Sequence, residues 1–162
     1  MKFPPASKQL IGLLNQALEG EMQGTIQYMW QHVLWSGIPG FAVKNELRSI
    51  AMQEMRHAEA IAERFQYMGG IPPIVSNPVT LGNDLSEMLA LDIKLEEKTI
   101  ILYRQIIEVS TDEGDTTTQL LFEKILSDEE DHHNTFTALA EVGKPSAINS
   151  LMANLKNLPK RG

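Results

Sequence analysis

Two short stretches decide the fold: Glu54-Met55-Arg56-His57 and Glu129-Glu130-Asp131-His132. Each holds a Glu-x-x-His. Residues three apart on an α-helix share a face, so each glutamate and its histidine can reach one point. One copy is weak evidence, because chance supplies many. Two copies, each near the middle of a long helical stretch, point to a shared centre.

The surrounding residues test whether these pairs face inward. Leu47, Ile50, Ile61, Phe65 and Met68 continue the stripe of Glu54 and His57, and Leu121, Ile125, Phe136 and Leu139 that of Glu129 and His132. Both pairs thus interrupt an apolar seam at core spacing. The neighbouring pair Glu130 and His133 follows Phe122, Leu126, Thr137 and Ala140, a poorer seam. Two further seams carry one inward carboxylate each. The first is Leu10, Leu14, Leu18, Glu21, Thr25 and Tyr28; the other is Leu89, Ile93, Glu96, Ile100, Tyr103 and Ile107. Glu19 is the alternative to Glu21. Glu97 shares a face with Lys94 and Arg104 and reads as solvated or as lying behind the ligands.

Outward from these seams, almost the whole chain reads as helix. Helices are expected over about 7–35, 41–68, 84–110 and 116–142, with a short fifth helix over 146–155. Ser7 is a good N-cap. Ser36-Gly37-Ile38-Pro39-Gly40 ends the first helix, Gly69-Gly70 ends the second, and Pro72-Pro73 forbids its return. The turn Asp112-Glu113-Gly114-Asp115 and the stop Gly143-Lys144-Pro145 bound the fourth. Short links make antiparallel hairpins of the first and second helices and of the third and fourth. Residues 69–83 are long enough to cross the bundle. A four-helix bundle with one long crossover is the ferritin-like arrangement, so the fold class is all-α. The two hairpins form loosely similar halves.

Composition agrees. A chain of 162 residues with 43% hydrophobic residues suits one domain with a real core, taken as 1–162. There are no cysteines, which excludes disulfides, cysteine-ligated metals and cysteine nucleophiles, and fits a reducing cytoplasm. A net charge of −7 disfavours nucleic-acid binding, and the basic tail of Lys156, Lys160 and Arg161 reads as a solvated end. No apolar run nears the ~18 residues of a membrane span, and residues 1–10 lack a signal-peptide core.

Four carboxylates in one core layer would repel one another and take up protons. Two divalent cations balance their charge, and His57 and His132 add neutral nitrogen donors. Mixed oxygen and nitrogen ligation suits iron or manganese, and zinc also fits. The expected ligands are therefore Glu21, Glu54, His57, Glu96, Glu129 and His132. Asp92 and Asp128 are candidates to accept a ligand histidine's second N–H. Tyr28, two turns beyond Glu21, is placed to donate a hydrogen bond or an electron, or simply to pack.

These segments resemble bacterioferritin, within the ferritin-like superfamily, over nearly the whole chain. The matching segments are Glu21 with Ile26-Gln27-Tyr28; Glu54 through Ala58; Glu87-Met88-Leu89, Asp92 and Leu95-Glu96; and Asp128 through His132. The resemblance implies oxidation of Fe(II) by dioxygen or peroxide, with two iron ions per subunit. It implies a hollow cage, with 24 subunits as one option, built through the first two helices. It also implies haem b at a two-fold interface, ligated by a methionine that matches Met55. Met55 points about 100° away from the core seam. It shares a face with Met52, and the first helix has a second apolar face in Met22, Ile26, Met29 and Val33. Haem ligation and plain packing of a dimer interface both fit it. The chain departs from the family at Arg48, where an aromatic residue usually lies beside the haem. Ser49 and Gln53 stand where some members carry a histidine and an aspartate for an inner-surface iron site. Thr135 replaces a tryptophan.

Two other readings compete with an iron-storing ferroxidase. A rubrerythrin-like peroxidase without storage would be favoured by an extra carboxylate such as Glu97 near the metals. A metal-stabilised bundle used as a binding or DNA-protection module is opposed by the acidic balance.

Overall fold

The computed structural model describes residues 6–35 and 38–142. Four helices account for most of them: α1 (Lys8–Leu34), α2 (Ile38–Tyr67), α3 (Leu85–Asp112) and α4 (Thr116–Val142). No strand is present among the described residues. None of the described helices is long and apolar enough to cross a membrane. The expected fifth helix, 146–155, lies outside the described residues.

The caps explain the boundaries. Ser7 Oγ accepts from the Leu10 amide at 3.0 Å, and Asp84 accepts from Glu87 N at 2.9 Å. Asp115 accepts from Thr118 N at 3.1 Å at the start of α4. One boundary differs from expectation: α2 begins at Ile38 rather than near Phe41. Pro39 therefore sits in the first turn, where its missing N–H has no intrahelical partner to lose. At the other end of α2, Gly69 has φ 86° and the Gly70 amide reaches back to Phe65 O at 2.9 Å. A Cβ on Gly70 would lie 2.5 Å from the Phe65 ring, so this turn demands glycine twice.

Cross-helix hydrogen bonds give the topology. Residue numbers rise on α1 as they fall on α3: Ser7 meets Glu113, Glu21 meets Tyr103, and Tyr28 meets Glu96. The same holds for α2 against α4, where His57 meets Asp128 and Arg64 meets Asp115. Both neighbouring pairs are antiparallel, which requires the link from α2 to α3 to run the length of the bundle. It lies along α1, with Asn77 N on Glu19 O at 3.1 Å and Thr80 N on Gln27 Oε1 at 3.1 Å.

Two apolar clusters flank a polar middle layer. One gathers Leu10, Leu14, Ile61, Phe65, Ile106 and Phe122; the other gathers Val43, Leu47, Ile50, Leu89 and Phe136. The core register differs from the seams proposed for α3 and α4. On α4 the fully buried residue is Phe122, and Leu121 is half-buried; on α3 they are Asp92 and Ile106, with Ile93 and Ile107 half-buried. The buried α4 positions Thr118, Phe122, Ile125, Glu129, His132 and Phe136 alternate steps of four and three. That 3.5-residue period is what near-parallel packing selects.

The halves match more closely than expected. Adding 75 to a residue number takes Glu21 to Glu96, Tyr28 to Tyr103, Glu54 to Glu129 and His57 to His132. The same shift takes Leu14 to Leu89 and Ile50 to Ile125. The polar layer is thus built twice from one pattern.

Candidate metal centre

All six expected ligands lie in the layer between the two apolar clusters, and all are buried: Glu21, Glu54, His57, Glu96, Glu129 and His132. They form two overlapping groups. Glu21, Glu54, His57 and Glu129 each bring a donor atom within 4.8 Å of the others, and so do Glu54, Glu96, Glu129 and His132. Glu54 and Glu129 belong to both groups. His57 Nδ1 lies 2.9 Å from Glu129 Oε1 and 3.7 Å from Glu21 Oε2. His132 Nδ1 lies 2.8 Å from Glu54 Oε1 and 3.5 Å from Glu129 Oε2. The two imidazoles are stacked with centroids 6.0 Å apart.

Burial strongly favours the protonated form of Glu21, Glu54 and Glu96, and neighbouring carboxylates add to it, so all three are raised well above their ordinary value. Burial pushes Glu129 up as well, but the close approach of the His132 and His57 rings wins and holds it down to about 2. His57 is raised: burial opposes its charge, yet Glu129 and Glu21 outweigh that.

Without a cation the layer is poorly satisfied. Glu21 Oε2, Glu54 Oε1, both Glu129 oxygens, His57 Nδ1 and both His132 nitrogens are buried with no hydrogen-bond partner. Buried polar groups are rarely left so. Apart from His132 Nε2, the orphaned atoms are oxygen and imidazole donors that face one another across the two groups, which fits two divalent transition metals.

The remaining expectations divide. Tyr28 donates to Glu96 Oε1 at 2.5 Å, so it fixes a candidate ligand from another helix. Asp128 does accept from a ligand histidine, but from His57 on α2 at 3.1 Å rather than from His132 one turn away. A side chain tilts toward the helix N-terminus and here crosses to the neighbouring helix. Asp92 touches no histidine; Gln27 and Gln31 donate to its Oδ1 at 2.8 and 2.9 Å. Glu97 is exposed and faces His133 at 3.8 Å, outside the layer, so it is not an extra carboxylate at the metals. Met55 is 47% exposed on the outer side of α2, away from the six ligands, and Arg48 is exposed.

Three features escaped the sequence reading. Tyr103, taken as a seam residue, donates its hydroxyl to Glu21. The signal was present: Tyr103 follows Glu96 by the interval at which Tyr28 follows Glu21. Gly24 faces the site, where a Cβ would lie 3.1 Å from Glu54 Oε2. Gln27 and Gln31 were not singled out as buried amide donors.

A buried double set of carboxylates and histidines between two antiparallel hairpins defines a class, the dinuclear carboxylate bundles. Comparison with known proteins agrees. The family model for the ferritin-like domain matches residues 11–144. The bacterioferritin of Desulfovibrio desulfuricans is 34% identical over 125 residues, covering 76% of this chain and 70% of that one. A structure of that bacterioferritin, showing its diiron site in different catalytic states, superposes with a TM-score of 0.71 at 30% identity, over 82% of this chain and 78% of that one. A ferritin-like diiron-carboxylate protein from Bacillus anthracis gives a TM-score of 0.80 at 29% identity, over 82% and 96%. The chain belongs to the ferritin-like family and within it is bacterioferritin-like.

Proposed function

We propose that this protein is a ferroxidase that oxidises Fe(II) with dioxygen or hydrogen peroxide, for iron storage and detoxification in a cage of copies of itself. The observation that carries this reading is the sharing of Glu54 and Glu129 between the two donor groups. Shared carboxylates would keep two cations close together, as in other two-metal sites. Glu21 and His57 complete one position, and Glu96 and His132 the other. A bound iron pair supplies the electrons that reduce the oxidant.

The chain's residues set the conditions for that chemistry. Glu54 and Glu129 would serve both cations, and the four glutamates together would balance their charge. Tyr28 and Tyr103 grip Glu96 and Glu21, each holding one oxygen of a terminal carboxylate. Asp128 fixes the ring of His57. The flanking apolar clusters exclude water from both ends of the layer. Manganese and zinc suit the same donors; iron is chosen because of the family.

Assembly through α1 and α2 is supported by their exposed apolar residues. Trp30, Val33, Leu34 and Phe41 are 51%, 58%, 65% and 81% exposed. Haem b between two Met55 side chains is part of the same proposal, and the absorbance spectrum of haem-titrated protein, compared with Met55→Ala, tests it.

The central test adds Fe(II) in air and follows oxidation by absorbance. The wild type is expected to oxidise iron rapidly, and the Glu54→Ala/His132→Ala variant at the uncatalysed rate. Equal rates would show that the site is elsewhere. Light scattering then separates a storage cage from a stable dimer.

A further inference from the structure

The two halves of the polar layer match at the candidate ligands and at their tyrosines, and differ in what stands behind the two histidines. His57 turns Nδ1 toward Glu129 and Glu21, and its Nε2 meets Asp128 Oδ2 at 3.1 Å. His132 likewise turns Nδ1 toward Glu54 and Glu129, but its Nε2 is buried with no hydrogen-bond partner. The 75-residue shift explains the difference. It relates Asp128 to Gln53, so the corresponding position on α2 carries an amide in place of a carboxylate.

A carboxylate behind a ligand imidazole fixes the tautomer that leaves Nδ1 free. It also orients the ring and raises its basicity, and losing it typically costs about 10–100-fold in metal affinity. His57 has this support and His132 lacks it. The terminal glutamates do not cancel the difference, because Tyr103 supports Glu21 as Tyr28 supports Glu96. Nor does Asp92, whose counterpart is Ala17: Gln27 and Gln31 hold it, and it hydrogen-bonds to no ligand.

Resting on the six-ligand dinuclear reading, we propose that the two metal positions are unequal: the Glu21–His57 position fills first because Asp128 anchors His57 while Gln53 leaves His132 unanchored. Asp128 and Gln53 are positioning residues; they act on the metals through the histidines.

The test loads the whole metal-free protein anaerobically with one equivalent of Co(II) and locates the metal by anomalous scattering. Calorimetry measures the two binding steps. The first equivalent is expected at the Glu21–His57 position, with the second step at least about tenfold weaker. Shared carboxylates alone would also separate the steps, so the variants decide. Asp128→Asn should weaken the tight step by about 10–100-fold, and Gln53→Asp should strengthen the weak step without moving the tight one. The double variant Gln53→Asp/Asp128→Asn should reverse the order of filling, which a merely structural role would not do. Thermal unfolding of the metal-free variants checks that they fold, and Gln53→Asp alone carries the test if Asp128→Asn does not. An even division of the first equivalent, or equal weakening of both steps by Asp128→Asn, overturns the inference and leaves the dinuclear site standing. Absence of any Co(II) binding by the wild type overturns both.

Discussion

The Tyr103 hydroxyl on α3 donates a hydrogen bond to Glu21 on α1, holding one carboxylate oxygen and leaving Oε2 with no hydrogen-bond partner, facing His57. Both residues are buried, so the bond fixes a ligand where water cannot. Tyr103→Phe removes the donor and keeps the ring on Phe122, whose centroid lies 5.0 Å away. The expected cost to folding is about 1–3 kcal/mol, the usual penalty for a buried acceptor left unpaired. Metal affinity at the Glu21 position should fall about 10-fold or more while the Glu96 position changes less. Denaturant unfolding and Co(II) titration measure the two effects.

Gly24 offers a sharper separation of stability from function. Its missing Cβ leaves room for Glu54, and an added one would sit 3.3 Å from Glu54 Cγ. Gly24→Ala gains up to about 1 kcal/mol of helix propensity in the metal-free protein. It also displaces a carboxylate that both metal positions share. The expected outcome is a metal-free melting temperature that holds or rises, together with weaker Co(II) binding at both positions.

Metal uptake should release protons. Glu21, Glu54 and Glu96 are protonated well above 4.5 because of burial first and neighbouring charge second, and cations must displace those protons. Affinity for Co(II) should therefore rise as pH rises above 4.5. Calorimetry in two buffers of different ionisation enthalpy will count the protons released. A buffer-independent heat would contradict this expectation.

Asp92 gives the metal-free protein a pH dependence of its own. Burial raises it from 3.8 to about 7, even though Gln31 and Gln27 pull the other way. A carboxyl raised in the folded state binds protons that the unfolded chain has lost. Its contribution is fully present below 3.8 and is lost as pH rises through about 7. Stability should fall across that window, and Asp92→Asn, which keeps an acceptor for both glutamines, should flatten the slope. Thermal melts of the metal-free protein at several pH values provide the comparison.

The sequence by itself determined the four described helices, the long crossover and the six candidate ligands. These rest on local rules that act within one segment: caps at Ser7 and Asp84, and the three-residue spacing of Glu54 with His57 and Glu129 with His132. Charge balance then demanded cations, because a core cannot hold four bare carboxylates. Only the tertiary structure decided which residue serves which ligand. Asp128 crosses to His57 on α2; Tyr103, a seam residue in the sequence, donates to Glu21; Asp92 is held by Gln27 and Gln31. Each of these contacts joins two helices, and its partner depends on the register between them. That register comes from interlocking side chains along the bundle, which no single segment records.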